Sequence, residues 1–199
     1  MASFELKTPI SKETISKLKV GDVVYLSGII YTARDEAHLE IIKYHKKGKK
    51  LPFNLENGVI YHAGPIMKKE NDKWVCIAIG PTTSARMNDT EEEVINITNL
   101  SAIVGKGGMK KELLNVFKEK KVVYLSAPGG CAALLANCIK EVKNVYFLEL
   151  GMPEAVWELE VENFGPLIVA MDVHGNSIYE DVNEKVFKNL KMMVQPQKS

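Results

Sequence analysis

Between the apolar run WVCIAIG and an acidic segment lies GPTTSARM (Gly80–Met87), which holds two adjacent threonines, a serine and an arginine. A connector needs only turn residues and a cap, so paired hydroxyls with an arginine four residues after the first point to oxyanion binding. Two more cations stand in comparable settings. Arg34 follows a β-branched run, and Lys106 lies among Gly105, Gly107 and Gly108. An arginine offers a planar fork matched to a carboxylate, and a lysine a compact charge beside exposed amides. Alone, each reads as a solvated loop cation; together, Arg34, Arg86 and Lys106 suit a dianion. Thr82 and Thr83 either satisfy backbone donors of the turn, or one of them handles a proton. A threonine hydroxyl is a very weak base unless a partner takes its proton, and no neighbour in the sequence does so. The second reading therefore requires a group from outside the chain.

Other chemistries fit poorly. VGKGGM joins a strand to a helix through glycine and lysine, but a phosphate loop needs a glycine where Leu100 stands and a hydroxyl where Gly107 stands. APGG lacks the spacing of a dinucleotide fingerprint. Cys76, Cys131 and Cys138 form no CxxC pair, so the sequence indicates neither a disulfide framework nor a zinc site, and buried packing is expected for all three. Cys131 and Cys138 are expected on one face of an Ala/Leu-rich helix. His45 and His62 have no partner in the sequence, and His174 sits in a turn, HGNS. Only His38, in ARDEAH with Asp35, has suggestive neighbours, and whether these two are functional or structural stays open.

The elements that must position these groups follow from composition and period. With 199 residues and 46% hydrophobic composition, the chain suits one α/β domain, 1–199. Its 26 basic and 25 acidic residues are well mixed, which leaves no broad basic face for nucleic acid. The basic run KYHKKGKK is expected to be a solvated helix end. Neither a signal peptide nor a membrane span is apparent, so a cytoplasmic protein is expected.

A strand fits Val23 to Thr32, followed by a helix through RDEAHLEIIKYHKKG. VIYHAG reads as a strand, and WVCIAIG as one covered on both faces. Thr90 with Glu93 predicts a capping box for a helix to about Thr98. LSAIVGKGG leads to MKKELLNVFKEKK, and VVYLSAPGG to CAALLANCIKEV, a strand–turn–helix rhythm of parallel α/β structure. NVYFLELGM adds a strand, PLIVAMDVHGNSIYED a hairpin and EKVFKNLKMM a closing helix, with VQPQKS expected to fray. In parallel sheets ligands sit beyond the carboxyl ends of strands, so GPTTSARM, GKGGM and SAPGG are expected to meet at one cleft.

ARDEAH, GPTTSARM, IVGKGGM and SAPGGCAAL, in this order, resemble the β subunit, or C-terminal domain, of class I iron-sulphur fumarases and L-tartrate dehydratases, over about Val20 to Val182. The resemblance implies a swivelling β/β/α domain with a mixed, partly parallel sheet, which closes over a cluster-bearing α subunit in a hetero-oligomer such as a heterotetramer. It implies a [4Fe-4S] cluster held by that partner, none bound by this chain, and a dicarboxylate substrate. By the same resemblance Arg34, Arg86 and Lys106, with Thr83, bind substrate, and Thr82 acts in moving the C3 proton, assisted by an acid of the other subunit. The implied reaction is hydration of fumarate to (S)-malate, with L-tartrate dehydration as the alternative. A reading of another class is a non-catalytic anion-binding or scaffolding domain.

Overall fold

The computed structural model describes residues 1–194. The elements run β1 (Ser3–Lys7), α1 (Lys12–Ile15), β2 (Val23–Thr32), α2 (Asp35–Lys46), β3 (Val59–Tyr61), β4 (Ile66–Glu70), β5 (Lys73–Ala78), α3 (Glu91–Thr98), β6 (Ala102–Gly105), α4 (Leu113–Lys120), β7 (Val123–Ser126), α5 (Ala132–Ala136), β8 (Ile139–Tyr146), β9 (Val156–Met171) and α6 (Ile178–Val194). Seven strands form a mixed sheet in the order β1-β2-β3-β6-β7-β9-β8. The β1–β2, β2–β3, β3–β6 and β6–β7 pairs are parallel, whereas β9 runs antiparallel to β7, β8 and β2. Because β9 reaches both β7 and β2, the pairings β2-β3-β6-β7-β9 close on themselves.

Side-chain alternation divides the interior in two. Val59, Tyr61, Ala102, Val104, Val123 and Leu125 face a core shared with Trp157 and Leu159. Their neighbours Ile60, Ile103 and Tyr124 face a second core, completed by Ile41 of α2, Val94 of α3 and Phe117 of α4. A short strand that feeds two cores must be apolar throughout, as β6 is, with all four residues buried. Of the helices of the second core, α2 and α4 follow the carboxyl ends of β2 and β6, and α3 follows the segment after β5.

Several sequence expectations need correction. The segment WVCIAIG is not covered on both faces: β4 and β5 form a separate two-stranded ribbon, exposed and half-buried residues alternate along β5, and Val75 and Ile77 face solvent. The helix read through CAALLANCIKEV stops at Ala136, because Ile139 begins β8. Cys131 is thus the residue before α5 and Cys138 lies beyond its end, so they share no helical face; Cys131 is buried, while Cys76 and Cys138 are partly exposed. The strand in NVYFLELGM ends at Tyr146, with a 3-10 turn at Leu148–Leu150. PLIVAM is the end of a 16-residue strand rather than half of a hairpin, and after the turn only Ser177 bridges back, to Met171. There is no capping box at α3: the Thr90 hydroxyl donates to Met87 O, and Glu93 pairs with Lys46. Of VQPQKS, expected to fray, Val194 is the last residue of α6, and 195–199 lie outside the described residues.

Candidate active site

The turn Gly80–Met87 leaves the ribbon rather than a strand of the main sheet, yet it is held at the sheet's rim by backbone bonds. Thr82 N donates to His62 O just past β3 (2.6 Å), Lys106 N just past β6 donates to Thr82 O (3.3 Å), and Ser84 N donates to Lys106 O (3.0 Å). Thr83 and Lys106 consequently pair as an isolated parallel bridge. The Arg86 amide then reaches Thr83 O and closes a 3-10 turn, Ser84–Met87. These bonds are all backbone to backbone, so neither threonine hydroxyl is needed to hold the turn. Thr82 is half-buried and Thr83 exposed, with the Thr83 methyl facing Gly107. Gly105 must be glycine because a Cβ there would collide with the Ser84 hydroxyl.

Arg34 ends the segment after β2 and precedes α2. Its Nε contacts Glu154 Oε1 at 2.8 Å and Asp35 Oδ2 at 3.4 Å, and its guanidinium lies over Gly64, beyond β3. Arg86 Nε contacts the other Asp35 oxygen, Oδ1, at 3.0 Å. One carboxylate therefore brings two guanidiniums together. Partial burial works to raise the Asp35 carboxyl, but its own amide and the charges of Arg86 and Arg34 hold it below the ordinary carboxylate value. Each guanidinium has five N–H donors, so a contact through Nε leaves capacity for a further anion. Arg34 is largely covered, whereas Arg86 is half-exposed.

The third glycine-rich end joins the same rim. Ala127 N donates to Gly105 O and ties β7 to β6, and Ile79 N donates to Ala132 O and ties α5 to the ribbon. Burial pushes the Cys131 thiol up, opposed by its own amide and by the charge of Lys106. GPTTSARM, GKGGM and SAPGG do converge, with Arg34 beside them. A cavity of about 350 Å³ elsewhere, lined by His45, Lys49, Leu51, Asn54 and Thr98 among others, contains none of the five candidate residues.

Beneath the rim is a group of residues that the sequence did not link. His38 from the first turn of α2, His62 after β3 and Glu91 at the start of α3 are all fully buried. Glu91 Oε2 lies 3.1 Å from His62 Nε2 and 3.4 Å from His38 Nε2. Neither contact has well-aligned hydrogen-bond geometry, so both are close charge contacts. His38 Nδ1 faces Arg34 O at 3.0 Å, and His62 Nδ1 faces the Ser84 hydroxyl at 2.9 Å. Burial works to lower His38, but Glu91 more than reverses it; burial prevails at His62, whose value falls. Burial works to raise Glu91, and the two imidazoles override it and hold the carboxyl down. Sequence spacing gave no sign of this, since 53 residues separate His38 from Glu91 and only the folding of α2 and α3 onto one sheet face joins them.

The family described as Fumarase C-terminus matches residues 1–182. The chain belongs to this family. The match includes β1 and α1, ahead of the Val20 start expected from the motifs. A Methanocaldococcus jannaschii protein named "Putative L(+)-tartrate dehydratase subunit beta" is 72% identical over 93% of this chain and 95% of its own length. An Escherichia coli protein named "L(+)-tartrate dehydratase subunit beta" is 42% identical over 92% of this chain and 89% of its own. A Geobacillus stearothermophilus protein named "Putative fumarate hydratase class I" is 42% identical over 96% of this chain, which spans only 36% of that longer protein. The relatives similar to this chain thus include both proteins of about its length and a longer one.

Proposed function

We propose that the chain is the β subunit of a two-subunit hydro-lyase that adds water reversibly to fumarate to give (S)-malate. The observation that carries this reading is the convergence of Arg34 and Arg86 on one carboxylate, beside the Thr83–Lys106 bridge and the Lys106 N to Thr82 O bond, at an open rim. Arg34, Arg86 and Lys106 hold the substrate's carboxylates, and Thr83 lines the same turn. The Thr82 hydroxyl serves the C3 proton, with an acid of the partner as its relay. Fixing both carboxylates aims C3 at that hydroxyl.

The [4Fe-4S] cluster that the family implies does not fit this chain's donors. The Cys131 thiol donates to Pro128 O at 2.8 Å, Cys138 lies near Leu134 O and Asn163 O, and Cys76 belongs to the ribbon. The one group of three residues that could hold a metal ion among the described residues, His38, His62 and Glu91, contains no cysteine. We therefore assign the cluster to the α subunit, in a cytoplasmic hetero-oligomer such as a heterotetramer.

L-tartrate dehydration is the second reading, favoured by the names of the 72% and 42% identical relatives. Co-expression with the cluster-bearing partner, anaerobic reconstitution and assays on malate, fumarate and tartrate decide between the two. Turnover of malate and fumarate above tartrate supports the first reading, and the reverse order supports the second. A reconstituted complex that binds a dicarboxylate but turns over none of the three leaves only an anion-binding role and overturns both.

A further inference from the structure

We infer that Tyr124, Ser84, His62, Glu91 and His38 form one buried proton-ordered chain that positions the Thr82 turn and the Arg34 corner relative to each other. Each member comes from a different segment: β7, the 3-10 turn, the residue after β3, α3 and α2. His62 grips the turn twice, through its backbone carbonyl to Thr82 N and through its ring to Ser84 Oγ. His38 grips the other corner, its backbone N and its Nδ1 both facing Arg34 O, at 2.9 and 3.0 Å. Glu91 lies between the two rings.

One arrangement of protons gives every donor in the chain an acceptor. Arg34 O can only accept, so His38 Nδ1 carries hydrogen; His38 Nε2 faces a carboxylate and carries another, making His38 an imidazolium. The Tyr124 hydroxyl donates to Ser84 Oγ at 2.9 Å, which frees the serine's own hydrogen for His62 Nδ1. His62 is then the neutral Nε2–H tautomer, with Nε2 close to Glu91. A buried carboxylate with no other partner requires one cationic neighbour, and this assignment supplies one and no more. A transition metal held by both Nε2 atoms and Glu91 is the competing occupant of the same atoms. It would make His62 Nδ1 a second donor to Ser84 Oγ beside Tyr124, and would leave the serine's own hydrogen without a described acceptor. The hydrogen-bond pattern favours the proton.

The test has two arms, and only the kinetic arm rests on the hydro-lyase reading. Long-range ¹H–¹⁵N spectra of the full ¹⁵N-labelled chain at neutral pH should show His38 protonated on both ring nitrogens and His62 on Nε2 alone. Two neutral rings, or one equivalent of tightly retained metal contacting both, would overturn the proposal. Ser84→Ala, a small change less prone to unfolding the chain than Glu91→Gln, should release the His62 tautomer. In the reconstituted complex it should raise KM for the dicarboxylate about 10-fold, with a smaller loss in kcat. A lowered melting temperature with KM and the His62 tautomer unchanged would make the chain a packing feature only and refute the positioning role.

Discussion

Two carboxylates, Asp35 and Glu91, stand close to the same turn and behave differently. Asp35 is partly exposed and holds two guanidiniums at the rim. Glu91 is fully buried and faces two imidazoles. An exposed ion pair is screened by water and adds little to stability, but it keeps its cations within reach of a ligand. A buried pair offers nothing directly to a ligand and becomes a liability when one partner is lost. The rim is therefore where substitutions should change kinetics directly, and the layer beneath it is where they should change stability, reaching kinetics only through the positions of the rim residues.

The largest effect is expected at the rim. In the reconstituted complex Thr82→Val should lower kcat by roughly 100- to 10,000-fold while the melting temperature holds, because the substitution removes a hydroxyl that no backbone bond of the turn needs. Activity near the parent rate would make Thr82 a spacer. Lys106→Ala or Arg86→Ala should cost about 30- to 1000-fold in kcat/KM, chiefly through KM, since each removes a charge-assisted contact to a carboxylate. Steady-state kinetics read both.

Glu91→Gln should instead destabilise by about 3 to 5 kcal/mol, which calorimetry would read as a fall of roughly 6 to 20 °C. The pH dependence follows from the sign of the shift. The folded-state value of Glu91 lies below 4.5, held near about 2. The stability it confers is thus present above 4.5 and lost as pH falls toward about 2, so the gap between parent and variant should close over that range. A gap independent of pH would mean that the carboxylate is not ionised in the fold. Asp35→Asn is expected to have the smallest thermal effect, less than about 3 °C, with a modest rise in KM as the two arginines lose their common anchor. A thermal loss equal to that of Glu91→Gln would erase the distinction between rim and buried layer.

The rim was legible in the sequence because its signals are local. Glycines, hydroxyls and cations in GPTTSARM and GKGGM mark turns whatever lies around them, and the helix through DEAHLEIIKYHK carries its own period. What escaped was non-local. His62 and Glu91 acquire each other only through the packing of α3 on the sheet, and β9 hides its length because WELEVENF mixes charges among its inward Trp157, Leu159 and Val161. The apolar content of WVCIAIG suggested a covered strand, whereas its Trp74 packs against Trp157 while Val75 and Ile77 face outward.

The most direct measurement is turnover of malate by the purified chain with and without its cluster-bearing partner. The account predicts no activity from the metal-free chain alone and hydro-lyase activity after anaerobic reconstitution of the pair. Malate or tartrate turnover by the metal-free chain on its own would contradict a site shared between two subunits.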